Sequence, residues 1–190
     1  MANRITTGRV TIGYPRLFTA QKRSADDTAK YSALILVPKS DESTVARILA
    51  AIESAAEERW PGITSDRKKF KALQLTWRDG DAEEKYEGHY FFNCSRAESQ
   101  GRPGVVDEKA EEILVSDGID GRQPHVGRVS LSAYAWEYRE AARRGVSLGL
   151  ENVQIVGPGS DTIFGSRKTP ADDFADGWAD TQEVEEANWP

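Results

Sequence analysis

The chain has 190 residues, 38% of them hydrophobic and 29% charged, which is enough for one compact core with appendages. Its single cysteine, Cys94, excludes an internal disulfide and a thiolate zinc cluster, and no apolar run has the length of a signal peptide or a bilayer span, so a soluble protein of a reducing cytoplasm is expected. The net charge of −6 is unevenly divided: seven acids and no Lys or Arg lie in residues 171–190, leaving 24 acids against 25 Lys and Arg in residues 1–170.

In chain order, ITTGRVTIGY puts Val10, Ile12 and Tyr14 on one face of a first strand, with Arg9, Thr11 and Gly13 on the other. PRLFTAQKRSADDTAK reads as a long polar loop carrying Lys22, Arg23 and Lys30, and YSALILVP as a second strand, apolar on both faces as a covered strand would be. Ser40 or Asp41 can cap a helix whose stripe is Val45, Ile48, Leu49, Ile52, Ala55 and Ala56, stopped at Trp60-Pro61. FKALQLTWRDG returns to alternation, with Leu73, Leu75 and Trp77 inward and Gln74, Thr76 and Arg78 outward; Arg78 is included among the candidate cationic contacts. Asp79-Gly80 opens a turn, HYFFNCS is a further short strand, and RPGVVD is a short extended piece.

Residues 126–156 carry the clearest two-residue period. Val129, Leu131, Ala133 and Ala135 form a small apolar face; Arg128, Ser130, Ser132, Tyr134, Trp136 and Tyr138 form the other. That second face is either a core layer beneath the helix or a binding surface. Cations beside flat rings suit single-stranded nucleic acid, because the cations follow phosphates and each ring can stack a base of any kind. REAARRG places Arg139, Arg143 and Arg144 at a hairpin tip beside the same strand, and a shift in alternation near Glu151-Asn152 predicts a bulge of the sort that bends strands into a small barrel.

RITTGRVTIGYPRLF, KYSALILVPKSD, WRDGD, GHYFFNCS followed by PGVVD, GRVSLSAYAWEY with GLENVQ, and FGSRKTPADDFAD together resemble phage-encoded single-stranded DNA-binding proteins, over almost the whole chain and in order. The resemblance implies a mainly β (β-rich α+β) chain: an elaborated OB-fold, a five-stranded barrel over residues 1–165 with one amphipathic helix, followed by a disordered acidic C-terminal tail over 166–190. It implies a role in phage DNA replication or recombination, in the cytoplasm of the infected bacterial host. In an OB-fold the strand lies between the loop joining strands one and two and the loop joining strands four and five; Lys22, Arg23 and Lys30 fall in the first, Arg139, Arg143 and Arg144 in the second. The expected partners are single-stranded DNA on the body, duplex DNA if at all only once the tail is removed, and phage or host replication proteins on the tail residues Asp172, Asp173, Phe174, Asp176, Trp178 and Trp189. A homodimer is left open, and no membrane partner is expected.

No catalytic residue, metal or cofactor is expected. His89 and His125 lack a nucleophile motif beside them, and GPGS at 157–160 lacks the Lys-Ser/Thr of a phosphate-binding loop. Asp79, Asp81, Glu83 and Glu84 could be imagined around Mg²⁺ in a nuclease, but four acids in one turn read as a solvated loop. The rival functions are a recombination mediator that anneals strands and a phage structural protein that binds no DNA.

Overall fold

The computed structural model describes residues 4–116 and 118–160. The expectations for the tail, including Asp172, Asp173, Phe174, Asp176, Trp178, Trp189 and the boundary at 165/166, lie outside the described residues.

After a short β1 (Arg4–Thr6), strand β2 runs over Val10–Gln21. Val10 and Ile12 point into the core as their alternation predicts. Gly13 then pairs with Leu34 and Arg16 with Ser32, so Tyr14 and Pro15 together oppose the single residue Ala33. This bulge inverts the alternation beyond it. Leu17 is fully buried, and Tyr14, expected on the core face, is 40% exposed. The strand also continues through residues expected to be a loop, which begins only at Lys22; the inserted residue hid the period of two.

Strand β3 (Lys30–Pro38) is apolar on both faces because both are covered. Ala33, Ile35 and Val37 enter the main core, while Leu34 and Leu36 enter a smaller cluster with Tyr86 and Phe91. Helix α1 (Glu42–Arg59) starts at Asp41, whose carboxylate accepts the Thr44 amide at 3.0 Å. Hydrogen bonds from the Thr44 hydroxyl and amide hold that carboxyl below its usual range. Ile48, Ile52, Ala55 and Ala56 are buried as predicted, joined by Thr44 and Ala51, whereas Leu49 is turned outward. The buried stripe faces β1 and the C-terminal hairpin, and Leu49 falls at its exposed edge.

The single strand expected over residues 70–80 is instead a short helix α2 (Arg67–Lys71) and two fragments, β4 (Gln74–Leu75) and β5 (Arg78–Asp79). Asp66 accepts the Lys68 and Lys69 amides and so nucleates helix where alternation suggested strand. Leu73, Leu75 and Trp77 nevertheless all pack on the core, Trp77 against Tyr90 and Phe92. Strand β6 (His89–Ala97) follows, then β7 (Gly104–Val106) and the long hairpin of β8 (His125–Tyr138) and β9 (Arg143–Pro158).

Strands β2, β3, β6, β9 and β8 succeed one another round a ring, and β8 pairs back to β2 at Val10↔Gly127. All these pairings are antiparallel except β6–β9, a parallel seam formed at Ser95↔Gly149. The ring encloses Ile12, Ile35, Phe92, Val129, Leu131, Leu148 and Leu150, each side chain contributing roughly 1.5–3 kcal/mol by leaving water. Ser130 pairs with Asn152 and Leu131 with Leu150, which leaves Glu151 as the extra residue of the predicted bulge. Among the described residues no helix is long and apolar enough to cross a membrane.

At the closure Gly127 has no room for a side chain: a Cβ would run into the Gln154 carbonyl oxygen and lie 2.9 Å from Ile12 Cδ1. Gly127→Ala is therefore expected to destabilise the domain by about 2 kcal/mol or more, read as a lower denaturation midpoint at unchanged slope.

The turn at residues 79–88 is clamped from outside the ring. Lys39 Nζ donates to Asp79 Oδ1 (2.7 Å) and Asp81 Oδ2 (2.5 Å), and Asp81 Oδ1 accepts the Gly88 amide at 2.9 Å. Asp79 and Asp81, two of the four acids considered for Mg²⁺, are thus engaged by an ammonium. Their hydrogen bonds to Lys39 hold both carboxyls below the usual range and push the lysine up to about 12. The clamp is complete between the ordinary carboxylate and lysine values, about 3.9 and 10.4. It is lost as pH falls through the lowered carboxyl values or rises through about 12. Lys39→Met is expected to speed hydrogen exchange at the Gly88 amide at neutral pH and to move the acid loss of its protection up toward the ordinary carboxylate range, since Asp81 still accepts that amide but no longer faces the ammonium; unchanged exchange would count against the clamp.

Candidate nucleic-acid interface

The outward face of the ring has a covered end and an open end. Tyr86 and Phe91 close over Leu34 and Leu36. Beyond Leu34 the same face opens into a groove of about 520 Å³. Its floor is made of small or polar side chains that the pleat turns outward: Ser32 on β3, Asn93 and Ser95 on β6, Ser147 on β9. One wall is β2 with Tyr14 and Arg16, extended by Lys22 and Arg23 of the first loop and by Lys30, which opens β3 and does not lie in that loop as expected, because it pairs with Gln21 and Ala97; the other is Tyr134 of β8. A neighbouring groove of about 410 Å³ shares Lys30, Ser95 and Tyr134 and adds Arg96, Ser132 and Glu151.

The face of β8 that sequence left open is settled by burial. Val129, Leu131 and Ala133 are in the core, while Tyr134 is 47% and Tyr138 66% exposed. Tyr134, Trp136 and Tyr138 form a row, the last two with ring centroids 5.4 Å apart. They stand beside a strip of β9 that carries almost no side chain, Gly145, Ser147 and Gly149. Trp136 Nε1 donates to Ser147 Oγ at 2.9 Å, and Cβ atoms on Gly145 and Gly149 would lie 2.8 Å from Trp136 Cζ2 and 3.5 Å from Tyr134 Cε1. The indole is thereby fixed in orientation, and the strip beside the rings stays low.

Charge in the two grooves is treated differently. Lys30 approaches Asp27 at only 3.9 Å across exposed side chains, a weak pair. Arg96 donates to Glu151 (2.8 Å) and to the Gly101 and Gln100 carbonyls, and Ser132 donates to the other oxygen of Glu151 at 2.8 Å. The 520 Å³ groove is therefore the more cationic one.

Of the predicted contacts, Lys22, Arg23, Lys30 and Tyr134 come together in one groove. Trp136 and Tyr138 continue the aromatic row toward the hairpin tip, where the Arg139 side chain is exposed and Arg143 donates to Gln74 Oε1 at 3.0 Å. Three arginines lie apart. Arg144 stacks over Trp60, 5.5 Å from the ring centre, on the helix side beside the Arg59–Glu137 pair. Arg128 donates to the Thr7 carbonyl, six residues or about 20 Å along β8 from Tyr134. Arg78 opposes Phe91 at the covered end.

Sequence reasoning missed Tyr14, Arg16, Ser32, Asn93, Ser95 and Ser147 as groove residues. The available signal for the first two was Pro15 inside a strand pattern, which marks a bulge or an edge. His89 and His125 are the first residues of β6 and β8 and contact the Glu87 and Ile119 carbonyls of the segments leading into them, and burial pushes the Cys94 thiol up to about 12.

Comparison with known proteins bears on this arrangement. A likeness of fold is shared with the single-stranded DNA-binding protein of bacteriophage Enc34 solved in complex with single-stranded DNA: TM-score 0.65 and 18% identity, covering 84% of this chain and 89% of that one. It is also shared with gp2.5, a single-stranded DNA-binding protein of bacteriophage T7, at TM-score 0.61 and 19% identity over 98% of this chain and 97% of that one. Protein p50 of Acyrthosiphon pisum secondary endosymbiont phage 1 is 26% identical over 178 residues, 91% of this chain and 93% of its own length. The family described as "Enterobacter phage Enc34, ssDNA-binding protein" matches residues 3–186, and the chain belongs to that family of phage single-stranded DNA-binding proteins.

Proposed function

We propose that this chain coats exposed single-stranded DNA without sequence preference during phage replication or recombination, in the cytoplasm of the infected host. The observation that carries the reading is the union, in one open groove, of Tyr134 with Lys22, Arg23 and Lys30 above a floor of small polar side chains. Rings stack any base and cations follow any phosphate, so affinity needs no base-edge readout. The aromatic row from Tyr134 through Trp136 to Tyr138 extends the track toward Arg139 and Arg143. Duplex DNA presents no free base faces to such a track. Binding is stoichiometric, with no bond made or broken.

Fluorescence titration with oligothymidylate tests the track. Tyr134→Ala is expected to weaken binding by about 1–3 kcal/mol with the salt slope unchanged. Replacing Lys22 or Arg143 by Gln should each lower the slope by about 0.7, whereas Arg144→Gln, stacked on Trp60, should leave it alone. Loss of binding in none of these variants would assign the strand to another surface.

The tail extends the proposal. Residues 171–190 carry seven acids together with Phe174, Trp178 and Trp189, carboxylates in place of phosphates and rings in place of bases. In this reading the tail competes for the groove of its own body and, once DNA displaces it, recruits replication proteins. Truncation after Pro170 should tighten DNA binding most at low salt, where charge interactions reach furthest; equal affinity of the two forms across salt concentrations would remove the competition.

A further inference from the structure

We infer that Tyr14 is a second base-stacking platform, on the wall of the groove opposite Tyr134, and that Asp120 is the positioning residue that holds it there. The inference rests on the reading of this groove as a track for single-stranded DNA.

Tyr14 has φ +45°, the left-handed region in which a side chain crowds its own backbone. The residue before it is Gly13, which could adopt that conformation without cost, yet the left-handed turn falls on the aromatic residue. The consequence is geometric. The bulge carries Tyr14 from the core face, where alternation would put it, to the groove face, where it is 40% exposed. Strain of this kind persists only where the surroundings enforce it, and it concentrates at functional sites.

The enforcement comes from the segment before β8. The Asp120 carboxylate accepts three consecutive amides of β2: Leu17 at 2.5 Å, Phe18 at 3.0 Å and Thr19 at 3.0 Å. The Gly121 amide donates to the Pro15 carbonyl at 3.0 Å. These bonds stand where β2 leaves its register with β3, between Arg16 and Gln21. Residues 120–121 thus grip the chain just beyond Tyr14 and replace the missing ladder. Between Tyr14 on β2 and Tyr134 on β8 lie β3, β6 and β9, four interstrand steps of about 4.8 Å. A strand crossing the groove therefore meets a ring at each side and small polar groups between.

The test is binding of an oligothymidylate of about 12 nucleotides, with thermal melting alongside, for the full chain and for Tyr14→Phe, Tyr14→Leu, Tyr14→Gly, Asp120→Asn and Tyr134→Ala. Tyr14→Phe should bind as the unaltered chain does. Tyr14→Leu should bind about 5- to 150-fold more weakly at an unchanged salt slope, the range expected for one stacked base. Tyr14→Gly, which relieves the left-handed backbone, should still bind more weakly at an unchanged salt slope while melting cooperatively, a separation that a merely structural role would not produce. In the Asp120→Asn background the cost of Tyr14→Leu should shrink, since the ring is no longer held in place. Full affinity in Tyr14→Gly or Tyr14→Leu, with Tyr134→Ala weakened, overturns this inference and leaves the reading of the groove intact. Absence of binding by the unaltered chain overturns both.

Discussion

The structure depends on β8 being paired on both sides. It runs antiparallel to β9 along its whole length, from His125↔Pro158 to Tyr138↔Arg143, and its first half also pairs with β2 and β1. Because side chains alternate across a strand, closing the ring over Val129, Leu131 and Ala133 turns Ser132, Tyr134 and Trp136 outward. Core and candidate interface are the two faces of one strand. Beyond Ser132 the partner on the β2 side ends, and the hairpin projects with its aromatic row and arginine tip.

Two bulges then shape what the alternation alone would leave flat. At Glu151 the extra residue bends β9 and brings a carboxylate to Arg96 and Ser132, tying β6 to the hairpin near the parallel seam at Ser95↔Gly149. At Tyr14 the extra residue reverses the faces of β2, which buries Leu17 and builds one wall of the groove. Both positions show one strand re-aimed by a single inserted residue, at the cost of local ladder bonds. Side chains brace both strands: Asp120 accepts the Leu17, Phe18 and Thr19 amides where β2 leaves β3, and Glu151 holds Arg96 and Ser132.

The distribution of charge follows the same division of labour. Asp79 and Asp81 are spent on Lys39, Glu151 on Arg96 and Glu137 on Arg59, so these acids support structure. Lys30 has only the weak pair with Asp27, and with Lys22 and Arg23 it borders the open groove. A body of nearly balanced charge can therefore present a locally cationic surface, which is what the proposed competition with the acidic tail requires.

Much of this was legible in the sequence wherever structure is a property of neighbouring residues. The two-residue period from Val129 to Ala135, the bulge at Glu151, the doubly covered β3 and the capped helix from Asp41 follow from local patterns of polarity and capping oxygen. Where pairing with distant strands decides, local pattern misleads: Tyr14 changed face, Leu49 turned outward, and the segment from Phe70 to Gly80 broke into a short helix and fragments. The grouping of cations was likewise beyond the sequence. Lys22, Arg23 and Lys30 meet Tyr134 only because β2, β3, β6, β9 and β8 follow one another round a ring, while Arg144, Arg128 and Arg78 are carried away by the same register. The sequence by itself determined the capped helix, the extended cores of β3, β6, β8 and β9 and the small apolar face of β8, since these depend on side-chain period and local hydrogen bonding. Only the tertiary structure decided which faces look at one another, because that depends on ring closure and bulges between strands far apart along the chain.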